Sequence, residues 1–197
     1  MNAHPCIDQS PVFSGLVDIE HDFAVSARTS IARRGASAPL KHLIKLSLIP
    51  KNGSCLNFGK GRDNHDSDAI RAISGHCQDY DYTYHKADVF GSSFRFVYAG
   101  YVQNTLPPEA RDVVWRQLAR VTHMNEGVCY VAVRSDTDKG IKGVPFADGV
   151  RTRRLNTFQK GYSIDALVNE ASRYFKYYHP IQCSGFRLIE CRHALQL

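Results

Sequence analysis

The stretch Cys55-Leu56-Asn57-Phe58-Gly59-Lys60-Gly61 joins a short apolar run to a Gly-x-Gly turn. The apolar run predicts a buried strand, and the glycines allow the backbone to turn sharply into a helix while it lies against a ligand. Asp81 follows 20 positions after Gly61. A carboxylate at the end of the next strand, about 20 residues on, can accept hydrogen bonds from ribose hydroxyls. The two features together predict a site for a nucleoside cofactor.

Helical and strand patterns alternate on both sides of this stretch. Apolar residues recur at helical spacing over residues 39–48, 67–74, 107–121 and 162–174. Apolar and aromatic runs typical of strands occupy residues 54–58, 77–81, 94–99, 128–133 and 184–190. Gly140 to Gly149 is predicted to be a glycine-rich loop that covers or contacts a substrate. The alternation predicts an α/β protein, a Rossmann-like three-layer sandwich with a mostly parallel sheet, whose ligands bind beyond the carboxyl ends of the strands.

Length and charge limit the class of protein. The chain of 197 residues is long enough for one domain with a buried core and too short for two ordinary ones. Its formal net charge of +6 favours an anionic partner, of which nucleic acid is the commonest. No apolar run approaches the roughly 18 residues of a membrane span, and the first residues do not resemble a signal peptide. We therefore expect a cytoplasmic protein with no membrane partner.

The amino-terminal segment and the cysteines suggest two further features. The first residues include Pro5 and Pro11 and show no apolar periodicity, so we expect an N-terminal arm over residues 1–25 and one domain over residues 26–197. The six cysteines are dispersed, with no C-x-x-C pair and no Cys/His cluster at zinc spacing. We expect neither a structural metal nor a disulfide framework.

The order of these elements is similar to that of class I S-adenosylmethionine-dependent methyltransferases. The string from Leu56 to Arg62 resembles their first motif, usually closer to L-D-x-G-C-G-x-G. Three further strings resemble the methyltransferases associated with DNA phosphorothioation loci, and they span residues 100–109, 128–134 and 148–160. The resemblance covers roughly residues 26–192. It implies S-adenosylmethionine as the cofactor and methyl transfer to nucleic acid or in a DNA-modification context.

Seven residues are candidates for the cofactor site under this resemblance: Asn57, Gly59, Lys60, Gly61, Asp81, Tyr82 and Gly100. The glycine turn departs from the usual motif, because Asn57 stands where an acid is common and Asp63 where a third glycine is common. The glycines also fit an ordinary tight turn. Asp79 can take the ribose role if the strand register differs by two residues, and Tyr82 is either beside the adenine or a surface aromatic residue.

Two groups of residues are candidates for the acceptor side. Tyr101 and Asn104 follow the aromatic strand, where many methyltransferases place residues that face the methyl group, so they are the catalytic candidates. The D/N-P-P-Y/F string of amino-methyltransferases acting on DNA is absent at this position. Four basic residues after the glycine-rich segment are suited to hold phosphates, although such a run also fits a solvated face: Arg151, Arg153, Arg154 and Lys160.

Two other functions remain open from the sequence. A methyltransferase fold that binds a nucleoside or nucleic acid without transferring a methyl group would account for Asn57 and Asp63. An NAD-type dehydrogenase shares Gly-x-Gly with a distant acid, but this chain lacks the full G-x-G-x-x-G and is short for a separate substrate domain. Methyl transfer from a sulfonium needs alignment above all, so the absence of an evident catalytic dyad is compatible with that reaction.

Overall fold

The computed structural model of the chain describes residues 14–195. Nine strands lie in this part of the chain: β1 Cys55–Phe58, β2 Gln78–Tyr80, β3 Phe96–Gly100, β4 Val128–Arg134, β5 Val144–Phe146, β6 Gly149–Arg151, β7 Phe158–Gln159, β8 Tyr177–Ile181 and β9 Phe186–Arg192. The same residues form five α-helices: α1 Ser14–Ser26, α2 Ala38–Lys45, α3 His65–Ser74, α4 Pro108–Val121 and α5 Ile164–Ala171.

Six of the strands form a central sheet in the order β2-β1-β3-β4-β9-β8. The first four are mutually parallel. β9 runs antiparallel to both of its neighbours, β4 and β8. The carboxyl ends of the parallel strands therefore meet at one edge of the sheet, where ligands bind in folds of this type.

Helices cover both faces of the central sheet. Leu118 of α4 lies in one buried cluster with Leu56 of β1. Leu43 of α2 lies in a second buried cluster with Cys55 of β1. Successive side chains of a strand point to opposite faces, so the two clusters are the two cores of a three-layer sandwich. The predicted fold class, a Rossmann-like α/β sandwich with a mostly parallel sheet, is confirmed.

The segment from Gly140 to Gly149 differs from its prediction, because it is not a simple loop. It contains β5, which pairs with β6, and β6 pairs with β7 in a separate three-stranded sheet. The glycines here permit close strand approach. A Cβ at Gly143 would lie 2.2 Å from the Arg151 carbonyl oxygen, and one at Gly149 would lie 2.5 Å from that of Gln159.

Two boundaries also differ from the sequence prediction. Tyr162 is not helical but bridges to Ser135, and α5 begins only after Ser163, whose hydroxyl accepts a hydrogen bond from the Ala166 amide. Strand β8 has no counterpart among the predicted elements, because its pattern of exposed and half-buried residues lacks a clear apolar alternation.

Residues 1–13 of the expected N-terminal arm lie outside the described residues. The rest of that segment belongs to α1, whose last turn contains the expected boundary after residue 25. Phe23 of this helix is buried in the same cluster as Leu56. Within residues 14–195, no helix is both long and apolar enough to cross a membrane.

Candidate functional site

A cavity of about 490 Å³ opens at the carboxyl ends of β1, β3 and β4. Its walls include the glycine turn, the segment after β2, the segment after β3, and the strap, which we define as residues 26–33. All seven residues predicted to bind a cofactor, including Gly100, line this cavity. Six of them were predicted from the first motif and the acidic strand end, and all six line the cavity: Asn57, Gly59, Lys60, Gly61, Asp81 and Tyr82.

The glycine turn is shaped by both conformation and space. Gly59 and Gly61 have φ angles of 74° and 72°, in the left-handed region that favours glycine. A Cβ at Gly59 would lie 2.3 Å from Val102 Cγ2, and one at Gly61 would lie 2.7 Å from Ser30 Oγ. The two glycines therefore allow the segment after β3 and the strap to approach the turn closely.

Asp81 is bonded directly to the glycine turn. Its Oδ2 accepts a hydrogen bond of 2.9 Å from the Gly61 amide. Its Oδ1 accepts hydrogen bonds from the amides of Thr83 and Tyr84, each at 2.9 Å. A carboxylate has about four acceptor positions, so roughly one remains on the oxygen beside Gly61. The structure thus brings the two halves of the predicted site into contact and fixes the orientation of the acid.

Tyr82 is an interior wall of the cavity. Its ring stacks on that of Phe23 with 3.6 Å between centroids and 7° between planes. Phe58 contacts Tyr82 edge-on, with 6.0 Å between centroids. Burial raises the pKa of the Tyr82 hydroxyl. Phe23 was not a sequence candidate, because it lies in the segment expected to be an arm.

The side chains of Lys60 and Asn57 stabilise the glycine turn and its neighbouring elements through hydrogen bonds. Lys60 Nζ donates hydrogen bonds to the carbonyl oxygens of Gly61 and Asp63 and to Asn64 Oδ1, the last at 2.7 Å. Asn57 is buried, and its Nδ2 donates a hydrogen bond of 2.9 Å to Ser67 Oγ on α3. Asn57 therefore connects the strand to the helix where an acid was expected.

The strap is held across the cavity by polar contacts. Ser26 and Thr105 hydroxyls are 2.6 Å apart, and Tyr84 donates a hydrogen bond of 2.9 Å to the Ala27 carbonyl. The Arg33 guanidinium is paired with Asp63 at 3.2 Å and with Asp66 at 2.9 Å. Burial acts to raise the pKa of Asp63, but hydrogen bonds from Arg33 outweigh it and hold this pKa below its ordinary value.

Tyr101 and Asn104 line the other end of the cavity, together with Gly100. Tyr101 has a φ of 63°, which is strained for a bulky residue, and its amide donates a hydrogen bond of 2.7 Å to the Ala132 carbonyl. Burial raises the pKa of its hydroxyl. The Asn104 side chain is buried, and its Oδ1 accepts a hydrogen bond of 3.3 Å from the Arg134 amide.

Arg134 and Gln159 also line this end and were not predicted as site residues. Arg134 Nε donates to Asp138 at 2.8 Å, and its Nη1 donates to Gln159 Oε1 at 3.1 Å. Gln159 belongs to β7, so the three-stranded sheet contributes to the cavity wall. Arg134 could have been predicted as a site residue, because it is a charged residue at the end of an apolar strand. Gln159 could not, because it reaches the cavity through pairing between segments that are distant in sequence.

The four predicted phosphate-binding residues have different environments. Lys160 is largely buried, and its Nζ pairs with Asp148 at 2.7 Å and with Glu170 at 3.1 Å. Its backbone amide donates a hydrogen bond of 2.9 Å to the Asn104 carbonyl. The remaining three are exposed and are outside the cavity wall: Arg151, Arg153 and Arg154.

The strand order and the site at the strand ends define a class of fold, that of S-adenosylmethionine-dependent methyltransferases, and solved structures share it. No family model matches the sequence, and no curated protein matches it. DhpI in complex with SAH is similar at a TM-score of 0.62 and 12% identity, over 90% of this chain and 98% of that one.

Two further structures are similar at comparable identity. The 1,6-didemethyltoxoflavin-N1-methyltransferase of Burkholderia thailandensis, with 1,6-didemethyltoxoflavin and S-adenosylhomocysteine bound, has a TM-score of 0.60 and 11% identity, over 96% of this chain and 94% of that one. The N-methyltransferase NodS of Bradyrhizobium japonicum, in complex with S-adenosylhomocysteine, has a TM-score of 0.54 and 10% identity, over 90% and 97%. At these identities the likeness establishes the shared fold.

Proposed function

We propose that the protein is an S-adenosylmethionine-dependent methyltransferase whose cofactor binds in the cavity. The observation that carries this proposal is the hydrogen bond between the Gly61 amide and Asp81, made inside a cavity at the carboxyl ends of parallel strands. The volume of the cavity is within the range of small-molecule sites, about 300–1,000 Å³. The structures reported above with bound SAH have the same fold.

The residues of the cavity fit the chemical groups of this cofactor. The remaining acceptor position of Asp81 suits a ribose hydroxyl, and the stacked pair of Tyr82 and Phe23, both of which line the cavity, suits the adenine. Gly59 and Gly100 line the cavity at the ends of β1 and β3, where the methionine part would lie. When bound, S-adenosylmethionine supplies a methyl group that is already activated on a sulfonium.

The protein's own part in the reaction is then alignment of the acceptor with that methyl group. Tyr101 is held in a strained conformation at the end of β3, where its hydroxyl can contact the acceptor. Asn104 acts as a positioning residue, because its side-chain oxygen is bonded to Arg134 and its carbonyl to Lys160. The site thus joins β3, β4 and β7 around the acceptor.

We propose nucleic acid as the acceptor, in a DNA-modification context. The resemblance expected from the sequence of residues 100–109, 128–134 and 148–160 is one reason for proposing this acceptor. The net charge of +6 supports it too, since phosphate contacts dominate the affinity of nucleic-acid-binding proteins.

Calorimetric titration of the full chain with S-adenosylmethionine and S-adenosylhomocysteine tests the cofactor assignment. We expect binding of both, and we expect Asp81→Asn to weaken it by tenfold or more, the approximate effect of losing one hydrogen bond to a charged group. Asp88→Asn is the matched control, because Asp88 is exposed and outside the cavity wall. Absence of heat with both ligands would contradict the proposal. Binding without methyl transfer to any acceptor would favour a protein that only binds the nucleoside.

A further inference from the structure

Most of the chain's net charge lies in one short segment, the basic hairpin, which we define as residues 139–156. These 18 residues carry one acid, Asp148, and five basic residues: Lys139, Lys142, Arg151, Arg153 and Arg154. Their net charge is therefore +4, out of +6 for the whole chain. The segment includes β5 and β6 of the three-stranded sheet.

The five basic side chains are available to a ligand. All of them are exposed, and within residues 14–195 none forms a salt bridge. The acid of the hairpin does not neutralise them, because Asp148 is paired with Arg111 and Lys160 instead. An unopposed field of this sign attracts a polyanion.

Apolar and aromatic side chains are exposed on the same hairpin. Val144 is 54% exposed, Phe146 38% and Leu155 45%. The Arg151 guanidinium lies 3.9 Å from the centroid of the Phe146 ring. Aromatic rings and guanidinium planes are the groups on which unpaired bases stack. A solvated basic face does not require such residues, whereas a surface for single-stranded nucleic acid does.

The hairpin is anchored firmly to the rest of the molecule. Asp148 accepts a hydrogen bond of 3.1 Å from Arg111 Nη1 of α4. Lys160, which follows β7, pairs with both Asp148 and Glu170 of α5. The Phe146 ring also contacts Phe158 of β7 edge-on, with 6.4 Å between centroids. Lys160 therefore fixes the hairpin in place, and its ammonium group is already paired with two carboxylates.

The hairpin lies beside the cavity. Gln159 lines the cavity and pairs with Val150, the residue before Arg151. Neighbouring strands are about 4.8 Å apart, so β6 is one strand spacing from the cavity wall and β5 about two. Gln159 accepts a hydrogen bond of 3.1 Å from Arg134 of the cavity wall, so a nucleic-acid strand on the hairpin would lie close to this end of the cavity.

From these observations we infer that the basic hairpin is the docking surface for single-stranded nucleic acid, with Arg153 and Arg154 on phosphates and a base against the stacked side chains of Phe146 and Arg151. This inference rests on the nucleic-acid acceptor proposed above. A duplex hides its base faces, so it offers Phe146 nothing to stack on. The single strand also leaves individual nucleotides free to enter the cavity.

Fluorescence anisotropy with a labelled 12-nucleotide single-stranded DNA tests this surface. The full chain is titrated at several salt concentrations with this strand, with its duplex form and with inorganic polyphosphate, which has no bases. We expect the single strand to bind more tightly than the duplex or polyphosphate. Arg153→Gln/Arg154→Gln should lower the slope of log affinity against log salt by about 1.4, because each phosphate contact on a single strand contributes about 0.7.

Two further variants separate docking from general electrostatics. Lys45→Gln/Arg120→Gln removes the same charge from exposed positions on α2 and α4, and it should leave the slope nearly unchanged. Phe146→Ala should weaken single-strand binding about fivefold or more without changing the slope. Circular dichroism of each variant checks that the fold is retained.

Several outcomes overturn the inference: no binding of the single strand, an equal loss in the control pair, or tight binding of polyphosphate with no effect of Phe146→Ala. Titration of the same proteins with S-adenosylhomocysteine distinguishes this failure from failure of the cofactor proposal. Cofactor binding without strand binding removes the docking surface alone. If the strand binds through the hairpin but the cofactor does not bind, the docking surface is supported and the proposed methyltransferase activity is excluded.

Discussion

The cavity and the basic hairpin adjoin each other, but the charged side chains of the cavity are hydrogen-bonded, whereas the basic side chains of the hairpin have no acidic partner among the described residues. Three basic and three acidic side chains line the cavity, and all six are hydrogen-bonded to protein groups: Arg33, Lys60, Arg134, Asp66, Asp81 and Asp138. The hairpin carries five exposed basic side chains without a salt bridge in the described part of the chain. The excess charge of the protein is therefore beside the cavity rather than inside it, as expected if one region orders a small ligand and the other attracts a long one.

The largest expected effect concerns the buried ion pairs that hold the hairpin. Arg111→Met removes the guanidinium partner of Asp148 and Glu170 but leaves both paired with Lys160. We therefore expect a loss of about 3 kcal/mol, the lower end of the range for breaking a buried ion pair. Chemical denaturation should show this loss in the free energy of unfolding. Arg116→Met on the same helix is the control, because its side chain is 63% exposed and its pair with Asp112 contributes little. Equal effects of the two substitutions would contradict the anchoring role.

The next effect concerns the glycine turn that shapes the cavity. Gly59→Ala combines a left-handed φ with a clash of its Cβ against Val102 Cγ2. Gly75→Ala has the same kind of φ, 78°, but no atom within 4 Å of the new Cβ. We expect Gly75→Ala to cost about 1–2 kcal/mol in the free energy of unfolding, and Gly59→Ala to cost a further 1–3 kcal/mol, roughly, from overpacking. Urea denaturation of the two variants measures the difference between their unfolding free energies. Equal losses would show that Val102 moves aside freely and would contradict the prediction.

A smaller effect is expected at the strap. Tyr84→Phe removes the hydrogen bond to the Ala27 carbonyl and the one accepted from Arg62, so the strap should open more readily. We expect S-adenosylhomocysteine to dissociate about two- to tenfold faster, the equivalent of one or two ordinary hydrogen bonds. Stopped-flow measurement of the dissociation rate gives this ratio. Tyr178→Phe, at an exposed tyrosine of β8, is the control and should not change the rate.

The smallest effect is in the acid dependence of stability. The pKa of Asp63 is lowered by Arg33 in the folded protein, so this pair stabilises the fold above the unfolded pKa of about 3.9 and its contribution is lost as the pH falls through the folded value. Asp63→Asn should therefore flatten the decline in unfolding free energy below about pH 4. Asp68→Asn, at an exposed acid of α3, is the control. A decline of unchanged steepness in Asp63→Asn would exclude this pair as a source of the acid dependence.

The sequence predicted the central sheet more completely than the region beside it. The buried strands β3 and β4 are almost entirely apolar, and β1 is apolar except for Asn57. The spacing from Gly61 to Asp81 correctly placed the acid at the glycine turn. The three-stranded sheet depends on pairing between short exposed strands. Its glycines indicated a loop, whereas in the structure they allow neighbouring strands to approach.

The roles of individual side chains were harder to predict than their positions. Lys160 was grouped with three nearby arginines because the run is basic, but burial and two acids give it a different environment. Phe23 and Gln159 reach the cavity from segments that pattern assigned to an arm and to a phosphate-binding run. Contacts between distant segments decide such cases, and a single sequence carries little information about them.

A crystal structure of the full chain with S-adenosylhomocysteine bound tests the central claim most directly. We expect the ribose beside Asp81, the adenine against Tyr82, and the amino-acid part beyond Gly59 toward Gly100. A nucleoside bound away from Gly59 and Asp81 would contradict it.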